Sequence, residues 1–186
     1  MSLSVSPEVL TNVKWSEFSI GGENGVFVIE STNSGIDKNK LNSKSGNIPY
    51  ITRSNVNNGI NLFITENQDK KYKINKGNCI TIGLDTQTVF YQEHDFFTGQ
   101  NIQILTNENL NKNNSMFLTI LLKKQIEKLN WGGNGATLSR LNRTKIILPI
   151  DEQGNPNWLY MENFVKNIEN KKISEIIKYL EQYIYI

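Results

Sequence analysis

The chain is short of the residues that build covalent staples and reactive centres. It has one cysteine and one histidine in 186 residues. A lone Cys79 excludes an intrachain disulfide and points to a reducing, cytoplasmic setting. One Cys and one His cannot assemble a Cys/His zinc site, so no metal site is expected. No run approaches the roughly 18 apolar residues of a membrane span, and no membrane partner is expected. There is no glycine-rich dinucleotide fingerprint, no phosphate-cradling loop and no nuclease-like carboxylate cluster. Charge is nearly balanced, at +2 with a pI near 8.5, well short of an overall bias that would announce nucleic acid.

What is present is unevenly distributed. Lys38, Lys40, Lys44, Arg53, Lys70, Lys71, Lys73 and Lys76 make one basic segment, and Lys123, Lys124, Lys128, Arg140, Arg143 and Lys145 a second. Between them lie Asp85, Glu93, Asp95 and Glu108. Two basic segments flanking an acidic one can fold into a single positive face.

Asn130 to Pro156 combines three kinds of sequence. Gly132, Gly133 and Gly135 make a glycine loop, Thr137 to Lys145 a polar and basic edge, and Ile146 to Ile150 a short β-branched strand before the turn Asp-Glu-Gln-Gly-Asn-Pro. Such a stretch can hold an anion-binding surface on a rigid support; the plainer reading is a solvated loop entering a core strand. Thr52 to Ile60 contains the turn dipeptide Asn58-Gly59, which favours a type I′ geometry. Before it stand Thr52, Arg53, Ser54, Asn55 and Asn57. Hydroxyls, amides and a guanidinium are the groups that read base edges, yet Ser and Asn more commonly cap their own turn.

Strands are expected at 25–30, 48–52 (at an edge or a strand start, because of Pro49), 61–64, 72–74, 79–83, 89–91 and 101–105, with a loop from Ser31 to Gly46. Cys79 reads as a core residue. His94 beside Asp95 lacks an identifiable nucleophile, and no catalytic residue is assigned. A helix is predicted over 115–129, with Met116, Phe117, Ile120, Leu121 and Ile126 on its apolar face. A second begins after Asn157 as N-cap, with a bend possible at Asn170-Lys171-Lys172. Its apolar stripe, Ile173, Ile176, Ile177, Leu180 and Ile184, invites a partner helix.

Taken together, Gly46-Asn47-Ile48-Pro49-Tyr50-Ile51-Thr52 with Asn57-Asn58-Gly59-Ile60, Lys76 to Ile82, Asp95-Phe96-Phe97, and Thr137 to Pro149 resemble the target recognition domain of DNA specificity subunits from type I restriction–modification systems and related type IIB-like systems. The order and spacing of these motifs carry the resemblance. It implies an α/β (α+β) fold: a twisted, mostly antiparallel, β-rich recognition domain over residues 1–156, then a helical dimerisation and subunit-docking segment over 157–186. It implies no catalysis and no cofactor in this chain. S-adenosylmethionine would sit in a partner methyltransferase subunit, and a further subunit or fused domain would cut DNA. Full-length members carry two recognition domains, so this chain resembles a half subunit whose copies could pair as a homodimer. Base-reading positions vary between members, so Thr52, Arg53, Ser54, Asn55 and Asn57 as base readers, and Ser139, Arg140, Arg143 and Lys145 as phosphate contacts, follow from side-chain chemistry rather than from the resemblance. The alternatives are a scaffold that docks a methyltransferase without reading DNA and, weaker, a self-sufficient enzyme. The tetrapeptide Asn155-Pro156-Asn157-Trp158 lacks the second proline of an adenine-methyltransferase motif.

Overall fold

The computed structural model describes residues 13–32, 34–130 and 135–184. Within them nine strands form three sheets. β1 (Trp15–Ser19) pairs with β9 (Lys145–Pro149). β2 (Val28–Ser31), β8 (Ile102–Thr106), β5 (Cys79–Gly83) and β6 (Val89–Gln92) make a four-stranded sheet in that spatial order, and β4 (Ile60–Ile64), β3 (Ser45–Ile51) and β7 (Phe97–Thr98) a three-stranded one. Every pairing is antiparallel except β3 with β7. Among the described residues there are three α-helices: α1 (Lys112–Ile126), α2 (Leu138–Arg143) and α3 (Trp158–Ile184). The mixed, antiparallel-rich architecture with a long terminal helix is the one the sequence led us to expect.

β5 sits between β8 and β6, and all five of its residues are buried. The run Cys-Ile-Thr-Ile-Gly suits that position, being β-branched and without charge. Ile80 and Ile82 are sealed against Leu105, Phe27 and Leu118 in the largest core; each such side chain contributes about 1.5–3 kcal/mol through burial. The one polar member, Thr81, is matched: its hydroxyl donates to Phe90 O and accepts from Gln92 Nε2 at 3.0 Å. Cys79 is fully buried, and burial pushes its thiol up to about 12. It is a core residue, as read from the sequence.

Four local expectations change. β3 is a central strand, not an edge, but β7 supplies only two partners beginning at Tyr50, so Pro49, lacking an N–H, lies one residue ahead of the second ladder. Residues 72–74 form no strand. Tyr72 N closes a turn onto Asp69 O, and only Asn75 bridges to Phe96. The α1 face is only partly the expected one. Phe117 and Ile126 are buried as expected, but Asn114, Leu118 and Leu122 are buried with them, and Met116 and Ile120 are 39% and 61% exposed; the helix is apolar nearly all round at Met116–Leu122, so spacing alone leaves its orientation open. Finally, α3 runs unbroken through Asn170-Lys171-Lys172, where no Pro or Gly interrupts it.

α1 begins with a capping box: Asn111 Oδ1 accepts from Asn113 N and Asn114 N, and Asn114 Oδ1 accepts from Asn111 N. Asn111 Nδ2 also donates to Glu162 of α3 at 2.9 Å. The root of α3 is buried at Met161, with Trp158, Phe164 and Val165 packed on the main core and Phe164 edge-on to Phe117 at 5.4 Å. Asn157 Oδ1 caps it, accepting from Tyr160 N. Beyond Ile168 every described side chain of the helix is exposed.

Candidate functional site

The Thr52–Ile60 turn is left-handed. Asn57, Asn58 and Gly59 all have positive φ, at 51°, 56° and 79°. Gly59 N closes onto Val56 O, and Ile60 N onto Asn57 O. The expected Asn58-Gly59 turn therefore overlaps a second one centred on Asn57-Asn58. Asn tolerates this region because its short amide bonds locally; Gly tolerates it freely. The turn is clamped to β6: Asn58 Nδ2 donates to Tyr91 O at 2.8 Å, and Gln92 Nε2 donates to Asn58 O at 3.1 Å. Neither Gln92 nor the clamp was visible in the sequence, since it joins residues 34 apart.

The candidate base readers divide within this turn. Thr52 Oγ1 accepts from Ser54 N, and Ser54 Oγ from Val56 N, so both hydroxyls brace their own backbone. Asn55 and Asn57 are exposed and make no side-chain hydrogen bond among the described residues. Arg53 Nη1 is bonded to Asp85 Oδ2. The acidic segment is thus interleaved with the first basic one, Asp85 meeting Arg53 and Asp95 meeting Lys76 at 2.8 Å, while Glu93 meets Lys112 of α1 at 3.2 Å. Asp95 also accepts from Gly77 N, and these bonds hold its carboxyl below its ordinary range. It is committed to Lys76 and Gly77 and bonds to no histidine, so His94 and Asp95 do not form a dyad.

The second basic segment lies differently. Thr137 to Arg143 is not a plain polar edge. Thr137 caps the short helix α2, its Oγ1 accepting from Arg140 N. Arg140 Nη1 turns inward and donates to Leu129 O at 2.8 Å and Gly135 O at 3.3 Å. Arg143 and Lys145 point outward; Arg143 Nε donates to Ser139 O, and Lys145 Nζ to Ser19 Oγ. Ser139 is exposed. Arg140, Arg143 and Lys128 line a shallow depression of about 320 Å³ with Leu129 and Thr144, and no carboxylate among the described residues shares it. Lys128 was not among the expected contacts. Of the glycine loop, Gly132 and Gly133 lie outside the described residues.

The β5–β6 turn, Leu84 to Gln87, touches Arg53 on one side and the Gly135-Ala136 segment ahead of α2 on the other. Arg53 reaches its Asp85. Ala136 N donates to Leu84 O at 3.0 Å, and a Cβ at Gly135, where φ is +56°, would stand 2.2 Å from that same oxygen. Only glycine fits there.

On α3, Ile173, Ile176, Ile177 and Leu180 are 54%, 57%, 49% and 50% exposed, and they repeat at helical spacing along one stripe. The side chain of Ile184 lies outside the described residues. Among the described residues no group of three or more His, Cys, Asp or Glu could hold a metal, and no helix is long and apolar enough to cross a membrane.

Comparison with known proteins places these features in context. The family model for the type I restriction modification DNA specificity domain matches residues 12–178. The specificity subunit S.BcgI of a type II restriction enzyme from Heyndrickxia coagulans is 33% identical over 157 residues, covering 84% of this chain and 44% of that protein; the chain spans less than half the length of that relative. Among solved structures, the S subunit of a type I restriction–modification system from M. genitalium aligns over 94% of this chain and 44% of its own, with TM-score 0.59 and 17% identity. The HsdS subunit from Thermoanaerobacter tengcongensis aligns over 91% and 39%, with TM-score 0.56 and 13% identity. These two share the fold.

Proposed function

Because the chain belongs to the type I restriction modification DNA specificity domain family, we propose that it is a non-catalytic specificity subunit, or half of one, that reads a double-stranded DNA sequence for a restriction–modification complex. One observation supports this reading beyond family membership: the β5–β6 turn meets Arg53 through Asp85, and through Leu84 it meets the Gly135-Ala136 segment to which Arg140 bonds. Arg53, with Asn55 and Asn57 exposed beside it, supplies base-edge contacts, with Thr52 and Ser54 bracing the turn. Ser139, Arg140, Arg143 and Lys145 supply phosphate contacts, which position the duplex without reading it. The chain itself binds no cofactor. A methyltransferase subunit holds S-adenosylmethionine, and a nuclease subunit or fused domain cuts.

The reading includes a division into a recognition domain (1–156) and a docking segment (157–186). Two copies pair through Ile173, Ile176, Ile177, Leu180 and Ile184, and a two-fold pair of identical readers recognises a palindromic bipartite site. The exposed stripe supports this, since such a surface on a lone helix is unstable in water without a partner. A cytoplasmic setting is supported by the buried, unpaired Cys79.

Selection from random duplex DNA, with the partner methyltransferase reconstituted, tests the proposal. The expected result is one bipartite consensus. The internal bonds of Thr52 and Ser54 favour, as the second reading, a scaffold that docks the enzyme without reading DNA. Affinity equal for every sequence would establish that reading and end the first.

A further inference from the structure

The geometry points to Asp85 as a positioning residue that fixes Arg53 for a guanine. This rests on Arg53 reading a base, as proposed above. Asp85 is held on a rigid mount. Gln87 N donates to Gly83 O at 2.9 Å and Gly83 N to Thr88 O at 3.0 Å, closing the β5–β6 turn. Leu84 then ties the turn outward twice, donating from N to Asn101 O and accepting at O from Ala136 N, both at 3.0 Å. Arg53 is mounted close by: a Cβ at Gly83 would lie 3.5 Å from Arg53 Cα. The ion pair, though its side chains are 39% and 52% exposed, therefore links two backbones that are themselves held in place.

The pair is also one-sided. Only Nη1 of Arg53 is engaged, which leaves the Nε–Nη2 edge of the guanidinium without a partner among the described residues. Two parallel N–H groups on that edge match O6 and N7 of guanine in the major groove. The Asp85 charge offsets that of Arg53, so the pair adds little to sequence-independent attraction for phosphates and acts through orientation. Arg143 and Lys145, which face no carboxylate among the described residues, keep their full charge for the backbone.

The test uses the full chain with its partner subunit, and the selected duplex together with its three alternatives at each base pair. The wild type should prefer guanine at one position by about tenfold or more, and Arg53→Ala should erase that preference. Asp85→Asn, similar in shape but uncharged, should reduce the same preference to about threefold or less, with non-specific affinity held or slightly raised and the urea midpoint unchanged. Asp85→Glu should restore part of it. If Arg53→Ala loses the guanine preference while Asp85→Asn keeps it, the positioning role is overturned and base reading by Arg53 stands. If Asp85→Asn tightens all sequences equally, Asp85 is a competitor for Arg53 and the inference is again overturned. A wild type without preference at any position overturns both this inference and the function on which it rests.

Discussion

Arg140 and Arg143 lie three residues apart on α2 and line one depression, yet they should respond to substitution in different ways. Arg140 Nη1 bridges the carbonyls of Leu129 and Gly135, tying the turn after α1 to the entrance of α2. Charged hydrogen bonds of this kind contribute roughly 1.5–3 kcal/mol each. Here the 3.3 Å bond is weak, and both carbonyls can be rehydrated because the residue is half-buried. Arg140→Ala should therefore lose about 1–2 kcal/mol, and with about 2–4 °C per kcal/mol for a chain of this size the melting temperature should fall by several degrees. Arg143 Nε reaches only Ser139 O on an exposed surface, and Arg143→Ala should stay within about 0.5 kcal/mol of the wild type. On the proposed function both residues give a cation to the phosphates, so each substitution should flatten the slope of log affinity against log salt by about 0.9. Arg140→Lys separates the two roles: it restores the salt slope but not the stability, because the shorter lysine stem does not carry its ammonium to the place that Nη1 occupies between the two carbonyls. Urea unfolding followed by tryptophan fluorescence, beside DNA binding across a salt series, reads both quantities. Equal urea midpoints for Arg140→Ala and Arg143→Ala would refute the assignment of Arg140 to the scaffold.

Three further outcomes follow from the packing. Gly135→Ala must place a methyl against Leu84 O at positive φ, and should cost about 1–3 kcal/mol in urea unfolding; a neutral result would mean that the loop does not abut the β5–β6 turn. Asn111→Ala loses both the capping box and the tie to Glu162 and should lose about 1–2 kcal/mol, read in the same assay. Cys79 keeps its proton in the folded state up to about pH 12, while the unfolded thiol ionises near 8.5. Above that value the unfolded chain binds fewer protons, so stability falls as pH rises, by up to about 1.4 kcal/mol per unit; the decline between pH 8 and 10.5 should be shallower in Cys79→Ala, and parallel curves would contradict it.

Much of the scaffold was legible because its signals are local. The buried run at 79–83, the strand at 61–64, the Asn157 cap and the long helix each rest on neighbouring residues. The misreadings arise where partners are distant. Pro49 could not reveal that β7 stops one residue short of it, and the all-round apolar surface of α1 could not reveal which side meets α3. Of the candidate site, Arg53 and Arg143 were picked out by side-chain chemistry, but the engagement of Arg53 with Asp85 and of Arg140 with the carbonyls of Leu129 and Gly135 depends on partners that the order of residues does not reveal. Asp85 looked like one member of an acidic stretch because charge was counted along the chain, whereas pairing is settled across it. Lys128 was passed over for the same reason.

The pairing of β1 with β9 has a consequence for how such a molecule can change. Trp15 lies opposite Pro149, so some 130 intervening residues leave and return at one doorway, next to the root of α3. A body whose entrance and exit are neighbours can be replaced as a cassette with little disturbance to what it is mounted on. On the proposed function, a new address could then be acquired by a single exchange of the stretch between those strands, with the mount retained.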